Sequence, residues 1–322
     1  MEKIVFSTLQ SRRLATKQGK SKKRIVAKDI SRGSVTDYVV LYEKQHRELL
    51  SRQVYPSLDI PEAGGPARSI ELLDEGKILG FFVIEPSDEF ELSTSWRVRD
   101  FVVTPHSNVE EAGVALIDFV QREYSDRGIY WRVDGDLGVS DSVPIKKCLK
   151  FTYSSITMLC RGLKTQSLES LDESFKVRNY RSEDLHLFAD LYHRIFQDLS
   201  PALSKTKIVD WMKVWTASPT FDSDIYFIAE SNGVPIGIAA AEIVNPKMGF
   251  AHLFEIGVLS RFTGTGVADQ LFRHCVRTVL EKGSSNMTLR FKEDNLHAHS
   301  FFQSRGFSDS YKRIYYQIIG AN

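Results

Sequence analysis

Two stretches of this 322-residue chain carry the same landmarks in the same order. Glu75-Gly76-Lys77-Ile78-Leu79-Gly80, continuing to Glu85, parallels Asn232-Gly233-Val234-Pro235-Ile236-Gly237, continuing to Glu242. Val103 follows the first stretch as Val258 follows the second, Gly128 corresponds to Gly283, and Phe151 corresponds to Phe307. Paired landmarks at a near-constant separation, in the order hairpin, strand, helix, strand and closing Phe, predict a duplicated α/β unit. Between the copies lies a polar, serine-rich segment of little periodicity, the composition of a connector. The predicted division is a basic arm at 1–21, a first domain at 22–163, a linker at 164–174 and a second domain at 175–322.

The second copy contains a glycine-rich turn, Thr263-Gly264-Thr265-Gly266-Val267-Ala268, between a predicted strand over 249–259 and a predicted helix over 267–282. At such a turn backbone amides face outward with no side chains in the way. The helix dipole adds partial positive charge, so the turn suits a phosphate or pyrophosphate. A loop that needs glycine only for positive φ would read the same way in isolation. Downstream come a β-prone run over 287–292, a helix opened by Asn295 and running to Phe302, and the closing Arg305-Gly306-Phe307.

This succession resembles the GNAT superfamily of acyl-CoA-dependent N-acyltransferases. Val258, Gly266, Ala268, Asn295, Ala298, Gly306 and Phe307 match its motifs, and Leu271 supports the register. The resemblance implies an α/β fold with a mixed, mostly antiparallel sheet that splays at its centre and is flanked by helices, present here as two tandem domains. It also implies acetyl-CoA as co-substrate, bound by Val258, Ser260, Arg261, Thr263, Gly264, Thr265, Gly266, Val267, Ala268, Asn295 and Phe302. Two positions depart from the pattern. Thr263 stands where Arg or Gln is usual, with Arg261 close enough to replace its charge. Phe302 stands where the family commonly has a Tyr that protonates the departing thiolate. A thiol with a pKa of about 8.5 leaves adequately near neutral pH without a dedicated acid.

In the first copy Val109, Glu110 and Glu111 replace Gly264, Thr265 and Gly266. Two carboxylates would repel a pyrophosphate, and without the glycines its oxygens could not approach closely. The first domain is therefore expected not to bind CoA in the usual way.

The chemistry implied is direct attack of an amine on a thioester. An alkyl amine has a pKa of about 10, so near pH 7 it must first lose a proton. Glu255, three residues before Val258, is the leading candidate base, with Glu242 and His252 behind it. An ordinary ion-paired strand residue would look the same in sequence. Gly257 would permit a bulge that frees a main-chain N–H near Val258 for the oxyanion. Tyr315 or Tyr316, on the last strand, could reach the sulfur in place of the missing tyrosine. Trp211 and Trp215 are expected to pack, and His297 and His299 diverge on their helix and make a poor metal pair. The acceptor that the resemblance implies is a primary amine of a small molecule or peptide. Its specificity would come from Gln197-Asp198-Leu199-Ser200-Pro201, with Asp222 and Asp224 favouring a cation.

Charge opens an alternative. Residues 1–28 hold nine Lys or Arg against the single acid Glu2, giving +8 in a chain whose net charge is +1. Such an arm could meet nucleic acid, although its basic core has no aromatic residues interleaved to stack on bases. A tRNA-dependent transferase of the same doubled fold would use it, and a non-catalytic CoA-binding scaffold would not. Three scattered cysteines, Cys148, Cys160 and Cys275, have no metal-like spacing and suit a reducing cytoplasm. No apolar run approaches the roughly 18 residues of a membrane helix. Nothing in the sequence fixes oligomeric state.

Overall fold

The computed structural model describes residues 25–30, 35–45, 67–87, 95–134, 147–164, 175–198, 204–218 and 221–319. The basic arm, most of the linker and Leu199-Ser200-Pro201 lie outside the described residues. Twelve strands form one mixed sheet: β1 (Val26–Asp29), β2 (Arg68–Asp74), β3 (Lys77–Pro86), β4 (Trp96–Val103), β5 (Ile129–Asp134), β6 (Leu149–Arg161), β7 (Phe175–Asn179), β8 (Tyr226–Ser231), β9 (Val234–Asn245), β10 (Phe250–Val258), β11 (Asn286–Lys292) and β12 (Ser308–Ile318). The helices are α1 (Val35–Gln45), α2 (Val109–Glu123), α3 (Leu185–Phe196), α4 (Lys205–Thr216), α5 (Val267–Glu281) and α6 (Leu296–Gln303).

The repeated hairpins form as their turn residues dictate. Glu75 and Gly76 sit at φ of 49° and 79°, and Asn232 and Gly233 at 50° and 77°. This is the paired left-handed geometry whose twist suits a two-residue hairpin. It joins β2 to β3 and β8 to β9. In each half one parallel pair starts at the sheet centre and soon parts. Beside β4, β5 is paired only as far as Val98 and Trp131, and β11 beside β10 only as far as Leu253 and Leu289. Beyond those points the strands splay.

The two halves exchange their last strands. The sheet order is β1-β2-β3-β4-β5-β12-β6-β11-β10-β9-β8-β7, so β12 lies beside β5, and β6 lies beside β11. The registers agree across the exchange. Arg290 lies opposite Thr157, and the residues reached by the same shift along the chain, Arg132 and Tyr315, also lie opposite one another. On the pseudo-twofold between β6 and β12, Ser155 faces Arg313. By this register the counterpart of Phe307 is Leu149. Phe151, the landmark taken from sequence, is 57% exposed, whereas Phe307 is buried.

Helices cover both faces. A side chain at Gly257 would strike Ile195 and Phe196 of α3, and one at Gly237, opposite Val258, would meet Leu271 of α5. Neighbouring strand residues point to opposite faces, so α3 and α5 pack on opposite sides of β10. The second-half core holds Phe188, Leu191, Ile238, Leu253, Leu271, Phe272 and Phe302. The first-half core gathers on α2 through Leu116, Phe119 and Val120.

Candidate active site

Along β10 the backbone is irregular at one point. Leu253 pairs with Ala241 and Glu255 with Ala240, so Phe254 is an extra residue, a β-bulge. The bulge lies at Phe254, three residues before the expected Gly257. It turns the strand just where β11 leaves it. Phe254 packs on Trp215 of α4 with ring centroids 4.0 Å apart, and Glu255 accepts a 2.6 Å hydrogen bond from the Tyr192 hydroxyl of α3. Both side chains therefore occupy the face covered by α3 and α4.

Among the described residues no cation is bonded to the Glu255 carboxyl, and desolvation lifts its pKa to about 8, partly opposed by the Tyr192 hydrogen bond. Glu242, opposite His252 on β9, is also raised by burial. His252 behaves differently. Burial, with the positive charges of Arg290 and Arg313, lowers it to about 3, and its Nδ1 lies 2.8 Å from the Thr288 hydroxyl. It is neutral near pH 7 and a far weaker base than Glu255. Of the three sequence candidates, only Glu255 combines a pKa near the working range with a hydrogen-bond partner that orients it.

Val258 points to the opposite face, toward α5. The chain then makes a short turn over Ser260–Phe262, with exposed Arg261 placed over the Phe262 ring at 5.0 Å. Thr263 is extended, and the Thr265 hydroxyl donates to the Phe262 carbonyl at 2.7 Å. Gly264 and Gly266 are left-handed, at φ of 78° and 88°. No atom lies within 4 Å of where a Gly264 side chain would begin. Gly266 caps α5 without a side-chain hydrogen bond, so the first-turn amides, Val267 and Ala268 among them, keep their anion-binding capacity.

The equivalent helix of the first half starts at Val109 as α5 starts at Val267, so Asn108, and not Glu111 as expected from sequence, stands where Gly266 does. Asn108 caps α2, its Oδ1 accepting from the amides of Glu110 and Glu111. An Asn before an acidic first turn is a legible cap signal. Asp100 precedes Val103 by three residues, as Glu255 precedes Val258. It is buried and left-handed at φ 54°, and it is paired with Arg99 and, at 3.6 Å, with Arg132. Where the second half holds a lone carboxyl, the first holds an ion-paired one.

Several expected site positions also make structural contacts. Phe302 is 5% exposed and packs against Phe272, Phe291 and Phe307. Asn295 spends its Oδ1 on the Ala298 amide at 3.0 Å as the cap of α6. Tyr315 is 1% exposed and stacked on Tyr153, and strand exchange puts β6 and β11 between its strand and β10. It does not border Glu255. Asp222 and Asp224 are held by Lys282, just past the end of α5 remote from the glycine turn, so they do not form a free acidic mouth. The Gly266 end of α5 is tied to α6 by a contact not foreseen. Asp269 receives Arg273 at 2.5 Å and Arg305 at 2.6 Å, and these pairs hold its carboxylate below the usual range against desolvation.

A splayed sheet, a bulged strand carrying a desolvated carboxyl and an uncapped helix start thus meet in the second half of an α/β protein. Residues 188–307 match the family model described as Acetyltransferase (GNAT) family. A curated relative, an uncharacterized N-acetyltransferase of Methanocaldococcus jannaschii, is 27% identical over 145 residues, 44% of this chain. The chain spans only 63% of that relative's length. Two solved structures share the fold along nearly the whole chain. One, a GCN5-related N-acetyltransferase from Sphaerobacter thermophilus, has a TM-score of 0.68 at 11% identity, covering 92% of this chain and 97% of that one. The other, a tandem GNAT protein from the clavulanic acid biosynthesis pathway, has a TM-score of 0.58 at 11% identity, covering 93% and 100%. The match to the GNAT family model thus falls within the second half, and the whole chain has the fold seen in a tandem GNAT protein. Among the described residues no helix is long and apolar enough to cross a membrane.

Proposed function

We propose that this protein transfers an acetyl group from acetyl-CoA to a primary amine of a small molecule or peptide. The site lies in the second half, 175–322, and the first half, 22–163, acts as a silent, supporting copy. The observation that carries this reading is the placement on one strand of the desolvated Glu255 and, three residues on, Val258 at the entrance to an uncapped helix start. The pyrophosphate would lie on the amides around Gly264, Gly266, Val267 and Ala268, with Arg261 near its charge. The acyl arm would run into the gap that opens between β10 and β11 after Leu253.

Glu255 as carboxylate takes a proton from the bound ammonium group. The neutral nitrogen then attacks the thioester carbon, and the oxyanion is met by main-chain N–H near Val258. The C–S bond breaks, the amide remains, and the thiolate leaves to be protonated from solvent. Glu255 gives its proton to water before the next turnover. The Tyr192 hydroxyl holds the carboxyl in place throughout. The three cysteines are free thiols, as a reducing cytoplasm would keep them.

The test is thiol release from acetyl-CoA across a panel of primary amines. Turnover is expected with at least one class, and Glu255→Gln should lower kcat by about 10²–10⁴-fold. No turnover with any amine, or an undiminished variant, would overturn the proposal.

A further inference from the structure

By bringing β6 of the first half beside β11, the exchange builds a polar surface next to the splay. It lies on the face that carries His252 and Glu242, because residues paired across strands share a face. Thr288 pairs with His252, Arg290 with Thr157, and Lys292 with Ser155. Ser155 and Thr157 are each 4% exposed, and among the described residues neither hydroxyl has a hydrogen-bond partner. Further along the same face Arg132, 8% exposed, has an unpartnered Nε. Buried polar atoms are nearly always satisfied, so three unmet groups on one face call for a partner. A guanidinium N–H can only donate and the two hydroxyls can donate, so the complementary group is an acceptor. The charges nearby agree in sign, since burial first and then the positive charges of Arg290 and Arg313 keep His252 uncharged.

We infer that this surface is an acceptor subsite, and that the amine acetylated here carries an oxyanion, a carboxylate or a phosphate, received by Thr157 and Ser155 beside Arg290. This rests on the acetyltransferase reading and adds the substrate class to it. The amine would sit at Glu255 on β10 and the oxyanion against β11 and β6, on the two sides of the splay. The first half would then supply recognition to a reaction carried out in the second. A site built to hydrogen-bond a substrate group discriminates strongly against analogues lacking it, because its own buried groups are left unpaired.

Two readouts test this independently. In a thermal-shift titration of the full chain, inorganic phosphate or acetate should raise Tm of the wild type. The shift should be lost in Thr157→Val and kept in Thr157→Ser, which retains the hydroxyl. The ion that produces the shift separates phosphate from carboxylate. In turnover, kcat/KM for an oxyanion-bearing amine relative to the matched plain alkylamine should fall at least tenfold in Thr157→Val and in Ser155→Ala. The inference is overturned if neither ion shifts the wild type, if Thr157→Val responds as the wild type does, or if the preference ratio is unchanged. Ion binding that survives in a protein without turnover on any amine would sink the acetyltransferase reading while leaving the subsite standing.

Discussion

A carboxyl whose pKa lies near 8 accepts a proton only in the fraction that is ionised, and that fraction grows with pH. The kcat/KM profile should therefore rise through about pH 8, and in Glu255→Gln the residual activity should lose this limb; a wild-type rise centred near pH 5 would contradict the assignment. The same group links pH to stability. Its folded pKa lies above the ordinary value of 4.5, so from pH 4.5 upward the folded state holds a proton that the unfolded state has released. Its contribution declines as pH rises and is at its least favourable above pH 8. Thermal melts should show Glu255→Gln gaining Tm over wild type at pH 9 and much less at pH 5; equal differences at both would argue that Glu255 is not desolvated. Glu255 was legible in sequence because Val258 fixes its place. Tyr192 was not, since a tyrosine on a helix face reads as core until the bulge at Phe254 turns Glu255 toward it. The burial of Phe302 and the strand order that separates Tyr315 from β10 were not legible for a related reason: both are properties of the sheet and are not carried by either residue.

Between elements, the contrast is one of helix starts. The N-terminus of α5 has two left-handed glycines and no side-chain cap, whereas that of α2 has Asn108 bound to its first amides and two glutamates in its first turn. Gly264→Val with Gly266→Glu, which removes both left-handed glycines and adds a carboxylate at the helix start, should abolish acetyl-CoA binding by calorimetry. Side chains at those φ values cost roughly 1–2 kcal/mol each, so circular dichroism should accompany the titration. Undiminished affinity in the folded variant would remove the pyrophosphate site from this turn. Sequence carried the elements well here. α5 and the hairpin at Gly233 form where the sequence pattern and turn chemistry placed them, because both signals are local. The bulge was misjudged because a glycine predicts permission for irregularity and not its position. At Gly257 the missing side chain instead makes room for Ile195 and Phe196.

For the whole molecule, strand exchange makes the halves mutually dependent. Asp134 of β5 is bonded to Arg313 of β12 at 2.5 Å and to Arg132 at 3.1 Å, all three side chains deeply buried. The two guanidiniums hold that carboxylate well below its usual range against the cost of burial. Removing one partner of a buried pair costs about 3–5 kcal/mol, so denaturant unfolding of Asp134→Asn should show a loss of that order; a loss under about 1 kcal/mol would contradict the described network. The duplication was readable from landmarks such as Gly76 and Gly233. The exchange was not, because β6 and β12 have the same alternation wherever they pair, and only three-dimensional register shows which neighbour each takes. One copy with an open helix start and a carboxyl held only by a tyrosine hydroxyl among the described residues, and one with a capped start and an ion-paired carboxyl, predict a single ligand site per chain. Calorimetric titration of the full chain with acetyl-CoA measures this directly: a stoichiometry of one is expected, and two sites, or none, would contradict the division of labour between the halves.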